Sequence, residues 1–206
     1  RFNERIRING VPIEDHEIIA FMEHAGATIK EIKSTFFETT TAMALNHFQR
    51  QNVDVAIIET GLGGRLDSTN VIMPDLIVIT SISMDHMEIL GNTIEKIAKE
   101  KAGIIKENIP VISVTQSKTV QKILCGKAQE KNTSITVVKS PSDIQMRIDC
   151  TEFCYDGTYY RTSLIGEHQA ENAALAIAAI QQYNPLLNNE MIETGLNTLC
   201  WPGRMQ

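Results

Sequence analysis

Four short, almost continuously apolar runs constrain the fold of this chain more than any other feature. They are VDVAII at 53–58, DLIVITSI at 75–82, PVISV at 110–114 and SITVV at 134–138. Strands that are apolar on both faces are typical of a parallel sheet with helices on both sides, because each face must be covered. The runs therefore predict the central strands of such a sheet.

Helix-like segments separate these runs. They lie at 93–106 and about 118–131, and two more precede the first run, at 14–26 and 35–52. We expect the helix that starts at residue 14 to end at Gly26, since glycine is favoured just past a helix C-terminus. The alternation predicts an α/β fold, a doubly wound and mostly parallel sheet flanked by helices.

The pattern changes after Pro141. Residues 145–163 alternate in period two around Asp156-Gly157, which predicts a small antiparallel hairpin region. An alanine-rich helix at 166–183 follows, and the segment 191–199 closes the chain. Because no repeat or low-complexity linker divides the chain, we expect 1–206 to form one domain.

Composition narrows the class of partner. With 43% apolar and 21% charged residues the chain resembles an ordinary globular protein, and its net charge of −6 argues against nucleic acid as the main partner. No run of 18 apolar residues and no signal-peptide pattern occurs in the sequence, so we predict no membrane span. Four cysteines without CxxC spacing favour reduced thiols and a cytoplasmic location.

Polar side chains follow two of the predicted strands. Glu59 ends the 53–58 run, and Asp85 and His86 lie just past the 75–82 run. Ligands of open parallel sheets bind beyond the carboxyl ends of the strands, so these groups would share one crevice if the two strands are neighbours. A carboxylate and an imidazole beside phosphates suit a divalent metal such as Mg²⁺. A buried His–Glu hydrogen bond without a metal is the alternative.

Lys101 lies on the apolar stripe of the 93–106 helix, together with Ile94, Ile97, Ala98 and Ile105. A buried ammonium without a partner is costly. Lys101 should therefore extend its amine to solvent, pair with a carboxylate, or change its chemical form; the first of these would be purely structural.

The glycine-rich stretch GLGGR at 61–65 matches neither GxGxxG nor the Walker pattern, and no P-loop occurs in this sequence. A loop of this kind, with an arginine beside it, would cover phosphates or a carboxylate. A tight strand-to-helix connection explains the glycines equally well.

Several long motifs, taken together, resemble the folylpolyglutamate synthase/dihydrofolate synthase family of the Mur ligase superfamily. They are FNERIRING, FFETTTAMAL, ETGLGGRLDSTN, SISMDHMEILGNTIEKIAKEKAGIIK, GEHQAENAALAIAA and WPGR. The resemblance covers almost the whole chain. It implies the P-loop-NTPase-like central domain of these ligases, and we expect a cytoplasmic monomer.

The resemblance also implies a reaction. ATP would activate a folate or dihydropteroate carboxylate as an acyl phosphate, and the amine of L-glutamate would then displace phosphate. The catalytic and metal-binding residues implied are Glu59, His86 and Lys101, the lysine as a carbamate that helps to hold a second Mg²⁺. The nucleotide or substrate contacts implied are Asn172, Arg204, Gly61, Gly63, Gly64 and Arg65.

The same resemblance places the family's Gly-rich ATP loop upstream of Arg1 and its glutamate-binding domain after Gln206, so we expect the 206 residues alone to be inactive. Three alternatives stay open at this point: a non-catalytic relative that binds nucleotide or folate, a Mur-type ligase for another carboxylate, and a structural Rossmann-like domain.

Overall fold

The structure, a computed structural model, describes residues 1–200. The chain divides into two compact units, of which the first is Arg1–Ile72 and the second begins at Met73. Each unit has its own apolar core. The single domain expected from the sequence stays a prediction. Arg204 lies outside the described residues.

The first unit is mostly helical. Its elements are a 3₁₀ helix (Phe2–Arg5), strands β1 (Arg7–Ile8) and β2 (Val11–Pro12), helices α1 (Asp15–Ile32) and α2 (Phe36–Arg50), and a second 3₁₀ helix (Ser68–Val71). Strands β1 and β2 form an antiparallel hairpin. The core of this unit consists of Ile6, Ile13, Phe21 and Met43.

The two long helices of this unit are delimited in different ways. Helix α2 begins at a capping box, in which the Thr35 hydroxyl accepts from the Glu38 N–H and the Glu38 carboxylate accepts from the Thr35 N–H. Helix α1 runs past Gly26, so the predicted end there is wrong. The helix ends instead before Lys33, which adopts a left-handed conformation with φ 55°. Ile29 packs on the core, and this contact outweighs the roughly 1 kcal/mol that glycine costs inside a helix.

The run at 53–58 is not a strand. It forms no ladder with any residue in 1–200, and Val55 and Ile57 are 55% and 93% exposed. An extended segment becomes a strand only when another strand satisfies its N–H and C=O groups. The central strand predicted from the apolar composition of this run is therefore wrong for the described residues.

The second unit contains two sheets and five helices within its described part. The strands are β3 (Ile77–Ile79), β4 (Val111–Val114), β5 (Ile135–Val138), β6 (Ser142–Met146), β7 (Thr151–Tyr155) and β8 (Thr158–Thr162), and the helices are α3 (Met87–Leu90), α4 (Ile94–Ala102), α5 (Lys118–Glu130), α6 (Glu167–Tyr183) and α7 (Asn189–Asn197).

Strands β3, β4 and β5 form a parallel sheet that is covered on both faces. One face packs on helices α4 and α5, where Ile77 and Val111 contact Ala98 and Leu124 in one cluster. Residues of α6 cover Ile112 and other side chains of the opposite face. This arrangement confirms the α/β class and the helix-flanked parallel sheet.

Strands β6, β7 and β8 form a second, antiparallel sheet. The turn between β7 and β8 is Asp156-Gly157, with φ 48° and 80°, as the hairpin prediction required. Phe153 and Tyr160 of this sheet pack on α6 and α7. Helix α6 therefore lies between two sheets, which explains its small alanine side chains. None of the helices within residues 1–200 has the length and apolar character needed to span a bilayer.

Candidate functional site

The glycine-rich stretch belongs to a loop that the carboxylate of Asp67 organises. Asp67 Oδ2 accepts from the Leu62 N–H at 2.8 Å, and Oδ1 accepts from both the N–H and the hydroxyl of Thr69. Asp67 is thus the N-cap of the 3₁₀ helix and also fixes the chain five residues upstream. One side chain holds both ends of the loop.

The glycines of this loop have local structural reasons. A Cβ atom at Gly61 would lie 2.5 Å from the ring of Phe37, so bare backbone is needed for close packing there. Gly63 has φ 70°, a left-handed conformation that glycine adopts without strain. Gly64 is buried, and its carbonyl accepts from the Asp67 N–H at 3.1 Å. Arg65 is exposed, and its carbonyl accepts from the Asn70 side chain at 3.0 Å.

A hydroxyl pair ties this loop to helix α2. Thr41 and Ser68 place their Oγ atoms 2.8 Å apart, and Thr41 is buried on α2. Together with the Phe37–Gly61 contact, this pair sets the loop on one face of the helix. The position of the loop therefore depends on where α2 begins.

The capping box at the start of α2 shifts the pKa of Glu38. Hydrogen bonds from Thr35 hold the pKa of the Glu38 carboxyl below its usual value. The capping box is thus strongest with Glu38 ionised. Protonation of Glu38 would weaken the first turn, which carries Phe37.

Glu59 lies between the extended segment and the glycine loop. Its side chain is exposed, and within residues 1–200 it makes no hydrogen bond or ion pair. A carboxylate in this state is available to a ligand.

His86 follows β3 in a strained backbone conformation. Its φ of 50° and ψ of 39° are left-handed, which is uncommon for a residue with a side chain. The Asp85 carboxylate accepts from the His86 N–H at 2.8 Å, and its other oxygen lies 3.6 Å from His86 Nε2. Both side chains are exposed. A strained backbone conformation persists only where the surrounding contacts enforce it, and such conformations are frequent at ligand sites.

Lys101 occupies the last turn of α4. Ile97, Ala98 and Ile105 are at most 1% exposed, as the stripe predicted, whereas Lys101 is half-buried. In the described part of the chain no hydrogen bond or ion pair reaches its amine. The salt bridge with a neighbouring carboxylate that could have explained this lysine is therefore not made by residues 1–200.

Asn172 lies in the second turn of α6 and is exposed. The helix starts at Gly166, whose φ is 130° and whose N–H donates to the buried Thr151 hydroxyl at 3.0 Å. A Cβ atom at Gly166 would lie 2.6 Å from the His168 ring, which is exposed and can move, so the positive φ is what favours glycine at this position.

The predicted residues are therefore distributed over both units. Glu59 and residues 61–65 form one continuous stretch of the first unit, and His86, Lys101 and Asn172 lie on three elements of the second. Over residues 1–200 no group of three or more His, Cys, Asp and Glu side chains is arranged to hold a metal ion. The shared metal site stays a prediction.

Sequence reasoning missed Asp67. The signal was present, because Asp followed by Ser-Thr is typical of an N-cap, and the residue stands within the LDSTN motif. The capping role accounts for the bond to Thr69 but did not reveal the second bond, to Leu62, five residues upstream.

Comparison with known proteins places the chain in a family. The Mur ligase middle domain model matches residues 14–180. A dihydrofolate synthase/folylpolyglutamate synthase of Bacillus subtilis is 42% identical over 226 residues, which cover 100% of this chain and 52% of that protein.

Solved structures agree with this placement. A Mycobacterium tuberculosis folylpolyglutamate synthase in complex with ADP and AMPPCP has a TM-score of 0.90 at 32% identity, covering 99% of this chain and 51% of the other. An FPGS–AMPPCP–folate complex has a TM-score of 0.91 at 32% identity and covers 99% and 54%. The chain thus spans about half the length of each of these three proteins. It belongs to the Mur ligase middle domain family and resembles the folylpolyglutamate and dihydrofolate synthases within it.

Proposed function

We propose that the protein carrying this chain is an ATP-dependent ligase that joins L-glutamate to the carboxylate of a folate or a dihydropteroate. The observation that carries the proposal is the match of 99% of the chain, at a TM-score of 0.91, to a protein in complex with AMPPCP and folate. The 42% identity to a synthase with both activities in its name supports both acceptors.

The reaction has two steps that balance without a redox partner. The acceptor carboxylate attacks the γ-phosphorus of ATP, which releases ADP and leaves an acyl phosphate. The amine of glutamate then attacks the acyl carbon, phosphate leaves, and the amine loses a proton. Both steps concentrate negative charge on phosphate oxygens, so positioning and charge neutralisation are the main tasks of the protein.

Glu59 and His86 are the residues proposed to hold Mg²⁺, which when bound would neutralise those oxygens. The donor set suits this role, because Mg²⁺ in nucleotide sites usually takes one or two protein ligands and completes its shell with phosphate oxygens and water. A site of this kind needs no three-ligand protein cage. The exposed Glu59 carboxylate, without a partner in residues 1–200, supports the assignment.

Lys101 is proposed to act as a carbamate at a second Mg²⁺. Its half-buried amine lacks a polar partner within residues 1–200, which a change from cation to anion beside a metal would explain. Asn172 and Arg204 are proposed to contact the nucleotide. Residues 61–65 would then face the triphosphate or the incoming carboxylate. Monomeric state and cytoplasmic location belong to the same proposal.

The test is glutamate incorporation by the full-length protein. Labelled L-glutamate, ATP and Mg²⁺ are supplied with either dihydropteroate or tetrahydrofolate, and the product is separated chromatographically. We expect ADP and the amide product to form in equal amounts with at least one acceptor. Hydrolysis of ATP without incorporation on either acceptor would overturn the proposal. Incorporation only on a different carboxylate would instead identify another Mur-type ligase.

A further inference from the structure

Gln116 lies in the loop after β4, and its side-chain amide holds the chain that follows β3. Gln116 Nε2 donates to the Thr80 carbonyl at 2.8 Å, and Oε1 accepts from the Ile82 N–H at 3.1 Å. The same Nε2 lies 3.1 Å from Ser113 Oγ. The first two bonds connect residues 36 and 34 positions apart in the sequence.

The Gln116 side chain extends the hydrogen-bond pattern of the parallel sheet beyond the last backbone pair of β3 and β4. The parallel ladder between β3 and β4 ends at the pair Ile79 and Ser113. Beyond it, Gln116 presents one donor and one acceptor to backbone groups two residues apart, as a neighbouring strand would. The Ile82 side chain packs against the core of the parallel sheet. Ile82 is thus fixed both by its side chain and by its N–H.

Short-range hydrogen bonds organise the chain between Ser83, the residue after Ile82, and His86. The Asp85 N–H donates to the Ser83 carbonyl at 2.9 Å, and the His86 N–H donates to the Asp85 carboxylate at 2.8 Å. The His86 carbonyl then accepts from the N–H groups of Ile89 and Leu90. Side chains from residue 83 to 89 are all exposed, so burial does not hold this stretch.

We propose that Gln116 is a positioning residue that sets the location of His86 and thereby the affinity of the protein for Mg²⁺. The inference rests on the proposed function, in which His86 is a metal ligand. Gln116 itself would touch neither the metal nor the substrates. Its contribution is to fix Ile82, from which the strained His86 backbone is built.

Three variants of the full-length protein separate the two bonds. Gln116→Leu removes both the donor and the acceptor at similar size. Gln116→Glu keeps an acceptor for the Ile82 N–H, loses the donor to the Thr80 carbonyl and to Ser113 Oγ, and adds one negative charge. Gln129→Leu is the matched control, because Gln129 is exposed on α5 and has no side-chain bond within residues 1–200.

The first readout is amide hydrogen exchange without metal. In Gln116→Leu we expect the Ile82 amide to exchange about ten-fold faster, the effect of one lost hydrogen bond, while the Ile112 amide in the β4 ladder is unchanged. In Gln116→Glu the Ile82 amide should exchange as in the wild type. The control should change neither amide.

The second readout is the Mg²⁺ concentration that gives half-maximal ligation. We expect it to rise about ten-fold or more in Gln116→Leu, with a similar kcat at saturating Mg²⁺, and to stay near the wild-type value in Gln116→Glu. Faster Ile82 exchange with an unchanged Mg²⁺ requirement would overturn the proposal, because Gln116 would then serve the fold alone. An equal rise in the Mg²⁺ requirement of Gln116→Leu and Gln116→Glu would overturn it as well, if the Ile82 amide of Gln116→Glu still exchanges as slowly as in the wild type.

A second variant and a second readout cover a folding failure of Gln116→Leu and a failure of the proposed function. If fast exchange at Ile112 shows that Gln116→Leu does not fold, Gln116→Asn, one methylene shorter, is judged by the same two criteria. If the wild type ligates no glutamate, the proposed function fails, and Mg²⁺·ATP binding measured by calorimetry replaces ligation as the readout for Gln116.

Discussion

The loop from Glu59 to Val71 and the segment from Thr80 to Leu90 perform related tasks by different means. Each follows an extended stretch of chain and carries a proposed metal ligand. The first is held mainly by its own residues, since Asp67 bonds both Leu62 and Thr69. The second is held by Gln116 from another part of the sequence.

The two regions also differ in where they place positive φ. In the first region the left-handed residue is Gly63, which adopts this conformation without cost. In the second region it is His86, a residue with a side chain that the proposed function needs. The comparison teaches that a left-handed position is free of strain where it presents only backbone, as at Gly63, whereas a ligand side chain at such a position requires support from outside.

The largest effect is expected for the two proposed metal ligands, one from each region. Glu59→Gln and His86→Ala should each lower kcat/KM of the full-length protein by about 10²–10³, because each removes one proposed ligand of the charge-neutralising metal. Initial rates at several Mg²⁺ concentrations measure this.

Asp54→Asn and His16→Ala are the matched controls, since both wild-type residues are exposed in the first unit. Near-normal turnover in either ligand variant, with the controls also active, would contradict the metal assignment for that residue.

Lys101 is expected to show the next largest effect. Lys101→Ala should lose about 10²-fold in kcat and recover part of it when short carboxylic acids are added, because they would replace the carbamate. Lys99→Ala, on the exposed side of the same helix, should remain active. Activity of Lys101→Ala that no carboxylic acid increases would argue against the carbamate.

Asp67→Asn tests how far the first loop is held by its own residues. The amide nitrogen that replaces one carboxylate oxygen cannot accept a hydrogen bond, so either Leu62 or Thr69 loses its acceptor. We expect a fall of about 1–3 kcal/mol in the free energy of unfolding, measured with urea. A variant as stable as the wild type would show that this loop does not depend on Asp67.

Gly63→Ala tests the conformational difference between the regions. An alanine at φ 70° should lower the free energy of unfolding by about 1–2 kcal/mol. Gly26→Ala is the control, since Gly26 lies inside α1 and an added methyl group would meet no other atom within 4 Å. This change should raise stability by up to about 1 kcal/mol. Equal effects of the two substitutions would show that positive φ is unimportant at Gly63.

Glu38→Gln is expected to have the smallest effect, and a pH-dependent one. Because the pKa of Glu38 is lowered in the folded protein, its contribution to stability is present above the unfolded-state pKa and is lost as the pH falls through the folded-state pKa. The stability difference between wild type and variant should therefore be largest near neutral pH and vanish in acid. Urea unfolding at several pH values measures it, and a difference that grows in acid would contradict this.

The sequence by itself determined the elements whose causes are local. The capping box Thr35–Glu38 starts α2, and Asp156-Gly157 makes the hairpin turn. Each of these depends on residues within a few positions of one another, so a pattern in the chain is enough to predict it.

Only the tertiary structure decided the features that depend on a distant partner. Whether the 53–58 run is a strand depends on another strand to pair with, and α1 continues past Gly26 because Ile29 finds the core. The hydrogen bond between the Gln116 side chain and the Ile82 N–H joins residues 34 positions apart, and no pattern along the chain predicts it. Hydrogen bonds and packing between remote segments are satisfied only after the chain has folded, and for that reason composition and periodicity do not reveal them.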